Sequence, residues 1–148
     1  MRTPLSPLAL LLIAVAACDP VGTACTEIGC ISQLDLTITA DGHAVPEFSG
    51  SITIGDTEFA VACDGTDATG SDAGVTCVSD GVVSVTFPEG AGDVSWSLVG
   101  SDPADTGGFG YDGAGTVTPT WETSQPNGPD CPPTCSTAAV TIALDVLD

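Results

Sequence analysis

Lysine is absent from this chain of 148 residues, and Arg2 is its only arginine. Histidine, tyrosine and methionine occur once each, while 20 aspartates and glutamates bring the formal charge to −19. The shortage of cations excludes whole classes of function. Nucleic-acid binding rests on Lys and Arg displacing counterions from phosphates, so it is ruled out. Recognition of anionic lipid headgroups fails for the same reason. Phosphate or carboxylate substrates would find only backbone amides, and no Lys or Arg can stabilise an oxyanion. Ordinary salt bridges have no partner to form with, so the fold rests on burial, hydrogen bonds and covalent links. Self-repulsion at this charge makes stability salt-dependent. Added salt is expected to raise the melting temperature through screening, and a temperature that stayed level from low to high salt would contradict this.

Long apolar runs are missing as well. The longest, Leu5 to Val15, is broken by Ser6 and Pro7 and falls short of the ~20 residues a membrane-crossing helix needs. Its surroundings give it another meaning. Arg2 supplies a positive start, and the small residues Ala16 and Ala17 stand just before Cys18, the order of a secretory signal. Val15-Ala16-Ala17-Cys18 resembles the bacterial lipobox at all four positions: aliphatic, small, Ala or Gly, then Cys. The resemblance implies cleavage before Cys18, a diacylglyceryl group on its sulfur and an acyl chain on its new amino terminus. Several chains together anchor stably where one does not. Asp19 resembles the inner-membrane retention signal of enteric lipoproteins, a rule that does not extend to every lineage, so either membrane stays open. The expected organisation is a signal peptide at 1–17, a lipidated Cys and short tether at 18–29, and one domain at 30–148. Cleavage takes Arg2 away; removing 17 residues from 148 leaves 131, with 20 acids against no permanent cation, a charge of −20. That length suits one domain with a real core. A solvated, acidic surface keeping an anchored exoprotein unassociated accounts for the charge.

Seven cysteines are present. With Cys18 assigned to lipid, Cys25, Cys30, Cys63, Cys77, Cys131 and Cys135 form an even set, which in a small secreted domain reads as three disulfides. Cys63 ends one expected strand and Cys77 lies in the next, so their bridge would clip a hairpin loop. Cys30 and Cys135 each precede an expected strand; if the first and last strands lie parallel and adjacent, these two pair, and Cys25 pairs with Cys131. Two local bridges, Cys25–Cys30 and Cys131–Cys135, are the competing arrangement. Zinc fits poorly, since Cys-x3-Cys comes without a second histidine.

After the signal no helical period appears. Short alternating runs recur instead: Leu34, Leu36 and Ile38; Ile52 and Ile54; Phe59, Val61 and Cys63; Val75 and Cys77; Val83, Val85 and Phe87; Val94, Trp96 and Leu98; Thr116 to Trp121; and Ala138 to Val146. Asp41-Gly42, Gly55-Asp56 and Asp80-Gly81 supply turns. The expectation is an all-β, disulfide-stapled, immunoglobulin-like antiparallel sandwich of about 7–8 strands, with water-facing outer surfaces. Pro119 marks its strand as edge or bulged. Residues 106–115 read as a glycine-rich separator. The closing stretch, a Trp, Pro-Asn-Gly-Pro-x-Cys-x3-Cys and an alternating strand, resembles the ends of small bacterial lipoproteins and brings no activity with it.

Chemistry has little material. Gly107 to Asp112 matches the first six positions of a calcium nonapeptide, but that mode requires repeats, and the match occurs once. Asp64, Asp67, Asp72 and Asp112 are the calcium candidates, as hard oxygen ligands without EF-hand spacing, beside Asp102 and Asp105. Trp96, Tyr111 and Trp121 could stack on sugars, although Trp96 alternates with Val94 and Leu98 as a core residue does, and Trp121 suits a plug against the proline loop. His43 reads as an exposed turn residue, and no nucleophile elbow is present. The expectation is therefore no enzyme and no cofactor: a lipid-anchored protein of the bacterial cell envelope, periplasmic or surface-exposed, with a structural or binding role. The alternative is a calcium-dependent binding module for a glycan or an envelope protein.

Overall fold

A computed structural model describes residues 28–65, 71–79, 81–87, 91–101 and 110–147. The expected signal peptide at 1–17, Cys18, Cys25, Asp67, Asp102 and Asp105 lie outside the described residues. Among the described residues ten strands form: β1 (Ser32–Ala40), β2 (His43–Ala44), β3 (Glu47–Ile54), β4 (Thr57–Asp64), β5 (Val75–Ser79), β6 (Val82–Phe87), β7 (Val94–Ser101), β8 (Gly110–Val117), β9 (Glu122–Ser124) and β10 (Cys135–Val146). Among the described residues none is helical.

Alternation builds the core. On β1, Leu34, Leu36 and Ile38 are completely buried while Asp35, Thr37 and Thr39 stay half-exposed on the opposite face. The same rule sends Ile52, Phe59, Val61, Val83, Val85, Val94, Leu98, Ile142 and Leu144 into one continuous cluster. Each such side chain contributes about 1.5–3 kcal/mol by leaving water. The outward positions are mainly Ser, Thr and Ala, so the outer faces are wet. The domain is an all-β sandwich in which antiparallel pairs dominate.

The strands follow the order β4-β3-β7-β8-β10-β1-β6-β5. β4, β3, β7 and β8 make one sheet; β9, β10, β1, β6 and β5 make the other, with β2 hydrogen-bonded to the end of β1. First and last strands are parallel neighbours over Gln33–Thr137 to Ala40–Leu144. β10 is long enough to serve both sheets: its far end turns to β8 at Asp145–Asp112 and Val146–Tyr111. At the other extreme of the order, β4 and β5 are joined by the Cys63–Cys77 disulfide, with Cα atoms 5.8 Å apart. The outer edge of β4 is already covered. Asp72 accepts from the Ala60 N–H at 2.7 Å and donates its own N–H to the Ala60 carbonyl at 2.9 Å, while the Ser71 hydroxyl accepts from Ala62 N–H at 2.8 Å and donates to its carbonyl at 3.0 Å. Those bonds occupy groups that would otherwise recruit a foreign strand.

Two expectations need correction. The glycine-rich separator is in part a strand: β8 begins at Gly110, and Thr118 to Trp121 form the crossing to β9. Glycine is needed there because the space is taken. A Cβ on Gly115 would come within 2.6 Å of Trp96 Cζ2, and one on Gly113 within 2.9 Å of Leu144 Cδ2. Pro119 accordingly sits in a crossing and not within a strand. Trp121 plugs the sandwich: its ring meets Phe87 edge-on, centroids 5.8 Å apart, and its indole N–H donates to the Gly92 carbonyl at 3.0 Å. β2 and β9, two and three residues long, are too short to show a period.

Candidate functional site

The most heavily built part of the molecule is the end where the chain enters. Ser32 is fully buried there, and its hydroxyl accepts the Ser136 N–H at 3.1 Å, locking the starts of β1 and β10 together. Cys30 is bonded to Cys135, Cα atoms 6.0 Å apart. Asn127, in the proline-braced loop, treats Ile28 as a strand neighbour would. Its Oδ1 accepts the Ile28 N–H at 2.9 Å, and its Nδ2 donates to the Ile28 carbonyl at 3.0 Å and to the Pro132 carbonyl. Cys131, 1% exposed, is also disulfide-bonded; its expected partner Cys25 lies outside the described residues. The chain at the end of the expected tether, from Ile28 to Cys30, is thus welded to the last strand and the loop that precedes it.

The opposite end carries a pair of facing acids. Glu47 starts β3 directly between Asp64, which ends β4, and Ser101, which ends β7. The Ser101 hydroxyl donates to Glu47 Oε2 at 3.1 Å. Glu47, Asp64, Ser49, Ala62, Val99 and Ser101 line an open recess of 480 Å³ on the outer face. Two carboxylates opposite one another without a cation repel, and such oxygens are of the hard type that calcium takes. The other calcium candidates are placed elsewhere: Asp72 is engaged on the edge of β4, and Asp112 faces Asp145 across β8 and β10. Among the described residues, no group of three or more His, Cys, Asp or Glu is positioned to hold a metal ion.

The three aromatic candidates do not form a sugar platform. Trp121 is turned inward onto Phe87. Trp96 and Tyr111 are half-buried against the core, and the Trp96 indole nitrogen is buried without a hydrogen-bond partner. His43 is exposed in β2, paired with Ala40 and next to the Asp41-Gly42 turn. Sequence reasoning missed Asn127, Ser71, Asp72 as an edge cap, and the Glu47–Ser101 contact. All four act across long separations or on an edge whose existence depends on the completed sheet. No family model matches the chain, nor does any curated protein or solved structure.

Proposed function

We propose that this chain is a lipid-anchored protein of the bacterial cell envelope, acylated at Cys18, whose stapled sandwich serves as a non-catalytic binding or structural module. The supporting observation is cysteine parity. All five described cysteines are disulfide-bonded, and seven cysteines cannot all pair with one another. One is left over, and Cys18 stands where the lipobox resemblance would use it. The welded segment at Ile28 and Cys30 suits such a role, because it would hold the domain in a fixed pose within about a dozen residues of the membrane.

The test is the intact mass of the protein isolated from its native membrane, before and after reduction. The expected mass is that of residues 18–148 plus acyl chains, rising by the six protons of three opened bridges. An unacylated mass overturns the anchor. A mass unchanged by reduction overturns the three-bridge framework.

A further inference from the structure

We infer that the gap between β8 and β10 receives an extended, basic segment of a partner protein, which adds to the sandwich as a strand. This deepens the reading of the domain as a binding module and rests on it, but it does not depend on the anchor.

The backbone makes the first argument. β8 and β10 are in register at only two positions, Tyr111–Val146 and Asp112–Asp145. The Leu147 N–H donates to the Gly110 carbonyl at 2.9 Å, which fixes the side of β8 that faces β10. By the alternation of an antiparallel ladder, Ala114 and Thr116 also direct their N–H and C=O groups toward β10, and Ala139, Thr141 and Ala143 direct theirs toward β8. β9 meets β10 only from Cys135 to Thr137. Between Ala138 and Ile142, about 13 Å of strand at 3.3 Å per residue, no described strand pairs with β10 on this side; beyond it β8 closes on β10, the Cβ position of Gly113 lying 3.5 Å from Leu144 Cα. The edge of β4, by contrast, is covered by Ser71 and Asp72.

Side chains make the second argument. Facing inward along the gap, Val117, Ala138 and Val140 are only partly buried against the core, whereas Ile142 and Leu144 further along β10 are 1% and 4% exposed. An apolar floor beneath unpaired backbone suits a strand with apolar residues at alternate positions.

Charge identifies the occupant. The outer rim is acidic at both ends of the gap. Asp35 and Glu122 border a 280 Å³ recess with Ala138 and Ala139. Asp112 and Asp145 face each other at the far end, a like-charged pair that weakens a ladder. The described residues contain no Lys or Arg to neutralise either pair. A strand bearing Lys or Arg on its outward positions, spaced to reach both pairs, would do so. A second copy of this chain would instead bring like rims together at −19 each.

The experiment is residue-resolved amide exchange on the full chain in detergent, with a synthetic peptide of about eight residues alternating Val and Lys. A peptide of the same composition in two blocks, and an alternating Val–Glu peptide, serve as controls. The alternating Val–Lys peptide is expected to slow exchange at Ala139 and Thr141, and to do so less as salt is raised. Ala139→Pro removes one gap-facing donor without touching the β1 ladder, and should weaken binding about fivefold. If that variant fails to fold, the footprint on the unaltered chain decides. Unchanged exchange, equal slowing by the block peptide, slowing by the Val–Glu peptide, or protection of these amides by self-association each overturns the proposal. A correct footprint on a chain that proves unacylated would leave the docking strand standing and the anchor fallen.

Discussion

Replacing Cys63 and Cys77 together with alanine is expected to lower the free energy of unfolding by about 3 kcal/mol, the chain-entropy value for a loop of this size. The bridge closes a separation of 14 residues and does more than shorten a loop. β4 and β5 are the two ends of the strand order, and no ladder joins them. Once the bond is lost, the Ser71–Asp72 contacts and the packing of Phe59, Val61 and Val75 in the core are left to hold that seam. Exchange should therefore quicken first in β5 and at Ala60 and Ala62. Denaturant unfolding of the double variant measures the loss, and a midpoint equal to that of the parent would refute it. Removing Cys30 and Cys135 makes an instructive contrast. Their separation is 105 residues, so alone they would constrain the unfolded chain more strongly. A Cys25–Cys131 bridge closes almost the same loop, and with it in place the loss of Cys30–Cys135 should cost less than the loss of Cys63–Cys77. The reverse order would break the Cys25–Cys131 pairing.

Gly50→Ala should be at least as damaging. Gly50 lies mid-way along β3 between Val61 and Leu98, at φ +148°, where side chains are strained. A Cβ there would overlap the Ser97 carbonyl oxygen and sit 3.0 Å from Leu98 Cα. Both obstacles are backbone, so no rotamer change relieves them, and β3 must part from β7 in the middle of its sheet. The expected cost is about 3 kcal/mol or more, from strain and overpacking together. Thermal melting checks it, with Gly42→Ala as the reference, since Gly42 also has positive φ but nothing within 4 Å of its Cβ position. Equal melting temperatures for the two variants would show that the close approach of β3 and β7 carries no cost.

How much of this was legible depended on whether a residue declares its environment locally. Leu34, Leu36 and Ile38 do, because alternation is itself the signature of a half-buried strand, and the all-β architecture follows from such runs. The hairpin of β3 and β4 was equally plain, with Gly55-Asp56 between two alternating runs. β8 was not. Gly110, Gly113 and Gly115 have no side chain with which to state a period, and the space where their side chains would stand is taken by residues from elsewhere, Leu147, Leu144 and Trp96. Ser71 and Asp72 look like turn residues until the strand they cover is known to be an edge. Asn127 precedes a glycine and reads as a turn; its bonds to Ile28 reach across 99 positions, beyond any window of local pattern. The acids were visible as a total, but which of them face one another, Glu47 with Asp64 and Asp112 with Asp145, is decided by register alone.

The parallel pairing of β1 with β10 also gives the domain a mechanical character. The chain enters at Ser32 on one end of the sandwich and leaves beyond Val146 at the other. With the Cys30–Cys135 bond opened, tension applied between those points would pull β1 and β10 in opposite directions along their length, so the bonds between them would be strained together and not one after another. The Cys30–Cys135 bond passes that tension straight to the last strand, sparing the residues between. With that bond closed, the sandwich pulled from its two termini would act as a stiff link, loaded along β10 alone.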